Sequence, residues 1–245
     1  MQVSTQIKKR VNTAINAFWD ALLPTACTLC GDPADDGEII CAGCQTELPL
    51  NRIYCPRCAH PMPTEEICGE CLGRPPAFDH TLAPLLYAPP ADRLISQLKY
   101  GDRLAAGRTF ARLLERHIRA SDLSLPEAVM AVPLHGQRLK FRGFNQSQEI
   151  ARPLAKALNL PLLTGRVIRH KATPTQTGLS GRARRKNLRG AFSVATPLPD
   201  QHLALVDDVM TTGSTAGELA ATFKKAGAAR VDIWVVARVP HTPKR

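Results

Sequence analysis

The chain has 245 residues, 44% hydrophobic and 22% charged, with 32 Lys/Arg against 21 Asp/Glu. That length allows one or two domains with a sizeable core, and that apolar content excludes wholesale disorder. No apolar run approaches the roughly 18–20 residues that span a bilayer, and the first 25 residues lack the pattern of a signal peptide, so a soluble, cytoplasmic protein with no membrane span is expected. The positive charge is concentrated: residues 138–190 hold thirteen Lys/Arg and a single acid, Glu149, whereas residues 24–75 hold three Lys/Arg and eight Asp/Glu. A thirteen-to-one imbalance fits a solvated face poorly and points to an anionic partner, either a phosphorylated small molecule or nucleic acid.

In chain order, residues 4–23 read as an amphipathic helix, because Ile7, Val11, Ile15, Phe18 and Leu22 recur every three to four positions. Ser4 suits the N-cap and Pro24 stops the helix. Lys8, Lys9 and Arg10 near its start would suit a membrane surface, but packing inside the protein is the commoner fate of such a stripe.

All eight cysteines follow, as four Cys-x-x-Cys pairs: Cys27/Cys30, Cys41/Cys44, Cys55/Cys58 and Cys68/Cys71. A two-residue spacer folds into a knuckle that aims both sulfurs at one ion, so two pairs complete a tetrahedral four-thiolate zinc site and four pairs give two. Joining neighbours closes the shorter loops at lower entropic cost; spacing alone also permits a cross-braced pairing. Disulfides would need an oxidising compartment, a redox dithiol would not need four copies, and ribbon-like spacing favours zinc over an iron–sulfur cluster. Four thiolates leave no open position for water, so both ions are structural, and a segment this poor in apolar residues needs them to fold. The cysteines end before Pro75 and Pro76, which sets the expected layout: an N-terminal helix in 1–25, a double zinc-ribbon module in 26–76 and an α/β domain in 77–245.

In that last domain, residues 91–99 and 103–120 read as helices, 128–132 as a short apolar strand, and 146–158 as a helix containing Pro153. Residues 203–206 form a compact apolar strand, 215–226 a helix and 231–239 a second, nearly continuous apolar strand. Strand–helix–strand order with apolar runs in both strands predicts a parallel sheet covered by helices on both faces.

The sharpest local signal lies where strand 203–206 ends. Asp207 and Asp208 are followed by Val209 and Met210, then by the small, hydroxyl-rich turn Thr211, Thr212, Gly213, Ser214, Thr215 that opens a helix. Unpaired amides and the positive end of the helix dipole make such a turn a phosphate cradle at the carboxyl end of a strand. Two acids beside a phosphate need another role, and ribose hydroxyls or Mg2+ would supply one.

This stretch resembles the phosphoribosyl pyrophosphate (PRPP) motif of type I phosphoribosyltransferases. The resemblance implies that Asp207 and Asp208 contact the ribose 2′- and 3′-hydroxyls, and that Thr211, Thr212, Gly213, Ser214 and Thr215 hold the 5′-phosphate, with Mg2+ accompanying PRPP. The zinc module joined to Leu98-Lys99-Tyr100, Val132-Pro133-Leu134, residues 142–146 (Arg-Gly-Phe-Asn-Gln) and residues 187–192 (Asn-Leu-Arg-Gly-Ala-Phe) is similar to the ComF/GntX family, over nearly the whole chain after residue 25. By that likeness residues 133–142 would meet pyrophosphate and 166–189 would form a hood over the reaction centre, making Lys99, Arg138, Arg142, Arg182 and Arg185 candidate pyrophosphate or hood residues. Purine-salvage members carry an acid at the position of Thr211 as general base; Thr211 cannot serve so near neutral pH, which argues against a hypoxanthine- or guanine-type acceptor.

The leading reading is a PRPP-binding, phosphoribosyltransferase-like protein, either transferring the phosphoribosyl group or keeping the fold to sense ligand. The family likeness implies a link to DNA uptake and its machinery proteins. The alternative is a non-catalytic single-stranded DNA-binding protein on the same fold, favoured by the basic stretch and opposed by its few aromatic stacking platforms, Phe141, Phe144 and Phe192. A third role is docking of the acidic zinc module on a basic protein. His135, His170 and His202 read as ordinary loop or surface histidines.

Overall fold

The computed structural model describes residues 26–34, 38–99, 105–170, 188–198 and 201–240. The helix expected over 4–23 lies outside the described residues. The chain divides into two compact units, Met1–Leu48 and Pro49–Arg245.

In the first unit the Cys27 knuckle closes with the Gly31 N–H on the Cys27 carbonyl (2.9 Å) and the Cys27 N–H on the Asp32 carbonyl (2.7 Å). Gly31 sits at φ +88°, in the left-handed region that a Cβ disfavours. Cys41 caps a short helix, α1 (Ala42–Thr46), its sulfur accepting the Cys44 N–H. The Thr28 N–H meets the carbonyl of buried Ile39 at 2.8 Å and joins the two knuckles.

The second unit opens with the same device. The Ala59 N–H donates to the Cys55 carbonyl (2.8 Å) and the Cys55 N–H to the His60 carbonyl (2.9 Å). Cys68 then leads into α2 (Gly69–Gly73). The strands that follow are β1 (His80–Leu82), β2 (Leu85–Leu86), β3 (Ala128–Ala131), β4 (Leu162–Leu163), β5 (Val167–Arg169), β6 (Phe192–Val194), β7 (His202–Met210) and β8 (Arg230–Arg238). Interleaved with them are α3 (Ala91–Lys99), α4 (Ala105–Arg119), α5 (Gly136–Arg142), α6 (Gln146–Ala157) and α7 (Ser214–Lys225).

Six strands form one sheet in the order β1–β8–β7–β3–β4, with β2 also beside β8, and every pairing is parallel. β5 and β6 form a separate antiparallel pair. Successive strand residues point to opposite faces. Met130, Leu203, Leu205, Val231, Ile233 and Val235 pack with Leu219 and Phe223 of α7 on one face. The intervening Val129, Ala204, Val206, Trp234 and Val236 are equally buried, toward the layer of α4 and α6. Burial on both faces is why these strands read as continuous apolar runs rather than as alternation.

Two elements differ in extent from the sequence reading. β7 does not end at Val206: Asp207 and Asp208 belong to the strand, which pairs with β8 through Met210↔Arg238. Acids look like a strand exit, but one edge of this strand's backbone is still held by β8 there. The stretch expected as a pyrophosphate loop contains α5, started by His135 Nδ1 accepting the Gln137 N–H and stopped by Gly143 at φ +77°. Pro153 has no N–H for the Glu149 carbonyl, and α4 and α6 approach closely at that carbonyl. That carbonyl would lie 2.8 Å from a Cβ at Gly107, so only glycine fits there.

Candidate functional site

The eight cysteines gather in two groups of four: Cys27, Cys30, Cys41, Cys44, and Cys55, Cys58, Cys68, Cys71. Within each group the sulfurs lie within 4.8 Å of one another. Neighbouring pairs therefore combine, and the cross-braced alternative does not occur. A tetrahedral zinc with bonds of about 2.3 Å requires sulfurs about 3.8 Å apart, and Cys30 to Cys41 (3.6 Å) and Cys58 to Cys68 (3.7 Å) match that spacing. The charge balance points the same way. Burial opposes ionisation of Cys27, yet N–H donors from its own knuckle and Cys41 draw it down to about 6. Burial together with Cys55 and Cys68 pushes Cys58 up to about 12. Four thiolates this close ionise together only around a cation, and the donor set suits zinc.

The second candidate region lies at the carboxyl ends of β3 and β7. Asn145 starts α6: its Nδ2 donates to the Val132 carbonyl (3.0 Å) and its Oδ1 accepts the Ser147 N–H (3.1 Å), which fixes the helix against the end of β3. Buried Ser147 then donates from Oγ to Asp207 Oδ1 at 2.8 Å, and the same oxygen takes the Asp208 N–H at 3.0 Å. Half-buried Asp207 is thus held by two hydrogen bonds to one carboxylate oxygen, and it lines the pocket at the end of the strand. Asp208 is buried, with its Oδ1 accepting the Val209 N–H at 2.8 Å.

Beyond Met210 the chain turns through Thr211 and Thr212 to Gly213, whose φ of +69° opens α7. Thr212 Oγ1 and Ser214 Oγ share a 2.7 Å hydrogen bond, so the hydroxyls form a connected rim beside first-turn amides that have no intrahelical acceptor. Val132, Asp207, Thr211, Thr212, Ser214 and Thr215 line one pocket there. Arg169, on β5, stands over the Phe192 ring at 5.5 Å. Burial lowers its pKa, the charge of Arg138 adds to that and the Asp207 carboxylate opposes it.

A double zinc ribbon domain matches residues 18–72. DNA utilization protein YhgH of Escherichia coli (strain K12) is 37% identical over 222 residues, 88% of this chain and 98% of that protein. The chain belongs to the ComF/GntX family. Competence protein F of Haemophilus influenzae is likewise 37% identical, over 81% of this chain and 90% of its own. Among solved structures, glutamine PRPP amidotransferase from B. subtilis, complexed with ADP and GMP, aligns at 18% identity with a TM-score of 0.40, covering 58% of this chain and 30% of that one. Purine phosphoribosyltransferase from Pyrococcus horikoshii aligns at 15% with a TM-score of 0.31, covering 67% and 97%.

In this ComF-family chain the structure brings Asp207 and residues 211–215 to one pocket, and Arg138 lies on α5. Arg142 turns to Gln146 Oε1 at 2.9 Å instead. Lys99 closes α3, while Arg182 and Arg185 lie outside the described residues. His135 caps α5, His170 Nε2 pairs with Ser193 Oγ (2.6 Å) and His202 Nε2 with Asp232 (2.9 Å). Sequence reasoning did not name Ser147 or Arg238, and it included Arg169 only within the 166–189 hood stretch. Ser147 was findable as a hydroxyl one residue inside a helix that starts at a strand end. Arg238 looks like an ordinary end to an apolar strand.

Proposed function

We propose that this ComF-family chain binds PRPP, with Asp207 and Asp208 toward the ribose and Thr211–Thr215 on the 5′-phosphate, in a role linked to DNA uptake. In this layout, residues 77–245 form the ligand-binding domain, 26–76 the zinc-ribbon module and 1–25 an N-terminal helix, in the cytoplasm. Among the described residues no helix is long and apolar enough to cross a membrane. The observation that carries the reading is Asp207, fixed by Ser147 near the carboxyl end of β7, with a hydroxyl-lined turn and left-handed Gly213 following the strand at a helix N-terminus. A carboxylate so fixed accepts from ribose hydroxyls, and the turn with its helix dipole takes the phosphate.

Arg138 and Arg169 would face the pyrophosphate, with Lys99, Arg142, Arg182 and Arg185 as further hood candidates. Mg2+ would supply charge neutralisation on the pyrophosphate. Outside the two cysteine groups no cluster of three acids or histidines forms among the described residues, so the ion would arrive with PRPP rather than sit in a protein cage. Thr211 cannot act as a general base, so a transfer reaction would need an acceptor that is already nucleophilic; ligand sensing needs none. Calorimetric titration of PRPP with Mg2+ tests the site. The wild type should bind in the micromolar range and the Asp207→Ala/Asp208→Ala double variant not at all. Ser147→Ala should weaken binding about tenfold, the value of one hydrogen bond to a charged acceptor. A folded, zinc-loaded wild type that binds no PRPP sinks the reading.

A second reading, binding of single-stranded DNA on the rim, is favoured by Phe141, 91% exposed on α5 between Lys140 and Arg142. An exposed aromatic flanked by cations is a stacking platform for a base. The relatives' names, DNA utilization protein and competence protein, are in keeping with it and with contacts to DNA-uptake proteins. Fluorescence anisotropy with an oligonucleotide should then show salt-dependent binding that Phe141→Ser weakens.

A further inference from the structure

The second zinc knuckle has its main-chain carbonyls bonded at four successive residues, the first three from strands of the sheet and the fourth from Asn51. The Pro56 carbonyl accepts the Thr81 N–H (3.0 Å), the Arg57 carbonyl the Thr81 hydroxyl (2.6 Å), the Cys58 carbonyl Arg238 Nε (2.8 Å) and the Ala59 carbonyl Asn51 Nδ2 (3.0 Å). Arg238 is 3% exposed, at the end of β8 and in register with Met210. Besides Cys58, its guanidinium donates to the carbonyls of Met210 (3.2 Å), Thr211 and Val239 (2.6 Å). A single buried side chain therefore binds the backbone of a zinc ligand with one nitrogen and the first residue of the 211–215 turn with another. Phe78 and Met210 also lie against Gly213, on the wall of a cleft that includes Cys58 and Cys71.

We infer that Arg238 is a positioning residue through which zinc at Cys55, Cys58, Cys68 and Cys71 sets the 211–215 turn, so that the occupied metal site and an occupied phosphate turn stabilise each other. Zinc fixes the Cys58 peptide. That peptide fixes the guanidinium, whose planar fork leaves Thr211 and Met210 one orientation for their carbonyls. The guanidinium also places a positive charge behind the turn without touching a ligand. Coupling between sites is reciprocal, so whatever strengthens one strengthens the other by the same factor. The inference rests on the phosphate reading of the turn for its ligand, but not for its first test.

That test is hydrogen exchange on the full chain, with amides of α4 reporting that the fold is intact. Cys71→Ser, which removes one second-site ligand, should speed exchange at 211–215 about tenfold, within the usual range of site coupling. Arg238→Met should do the same with the second zinc still bound, and Arg238→Lys, which keeps the charge but not the fork, should fall between. In the unaltered protein, saturating PRPP with Mg2+ should slow chelator-driven zinc release from the second site about tenfold, and Arg238→Met should abolish that effect. Exchange at 211–215 that stays at the wild-type rate in folded Arg238→Met overturns the coupling. Failure of PRPP to bind the zinc-loaded wild type overturns the phosphate reading instead, and the exchange arm still decides the coupling. Should Cys71→Ser lose α4 protection, the two Arg238 variants decide between coupling and independence.

Discussion

The two zinc ribbons are built from the same knuckle, yet they are buried very differently. Each closes with an amide four residues on bonded to the first cysteine's carbonyl, and each places that fourth residue in the left-handed region, Gly31 in one and Ala59 in the other. In the first ribbon Cys30 is exposed and the Cβ position of Gly31 faces open space. In the second, Cys55 is 0% exposed and Ala59 lies in the main core beside Phe78 and Ala83. The same spacing has made one metal clip at a surface and another that belongs to the core of a parallel sheet. Spacing specifies the metal; the residues between and around the cysteines specify what the metal supports.

Ligand removal is the strongest way to break that contrast. A zinc site of this kind contributes about 10–16 kcal/mol of binding, which is also folding free energy. Cys55→Ser should therefore cost residues 49–245 about 4 kcal/mol or more, read as a lower melting temperature with one zinc lost. Cys30→Ser should also lose one zinc but lower that transition by less; equal shifts would end the distinction. A finer probe exchanges the left-handed residues. Gly31→Ala should weaken the first site by about 1–2 kcal/mol, the cost of a Cβ in that conformation. Ala59→Gly should change the second by less than about 1 kcal/mol, because relief of the same strain offsets loss of a buried methyl. Chelator competition measures both.

The smallest effect is on pH. Tyr54, next to Cys55, shares a 2.9 Å hydrogen bond with His117 Nε2 on α4. Burial lowers the pKa of His117, and burial lowers that of His80 against smaller opposing charges. A histidine whose folded pKa lies below its ordinary value of about 6.5 keeps its full stability above that value, then loses it as pH falls toward the folded pKa. Unfolding free energies from urea titration should decline below about pH 6.5, by less than about 1.4 kcal/mol per histidine per pH unit, and His117→Gln should flatten the slope. A rise in midpoint over that window would contradict the burial of both rings.

The sequence made the cysteine groups and the β7–turn–α7 segment legible because their chemistry is local: spacing, apolar runs and a hydroxyl-rich turn. What it hid depends on distant partners. β1, β2 and β4 are two or three residues long and hold their places by pairing with β8 or β3, so no period announces them. α5 was obscured by the family likeness, which assigned residues 133–142 to a pyrophosphate loop, although His135 and Gly143 mark both ends of the helix. Ser147 gains its importance from Asp207, sixty residues away.

The Cys58–Arg238 bond spans 180 residues. Ribosomal synthesis proceeds from the N-terminus, so the Cys58 carbonyl emerges long before its guanidinium exists. The knuckle made early is completed by β8, the last strand among the described residues, and a nascent chain stalled before residue 238 would carry a ribbon without that anchor.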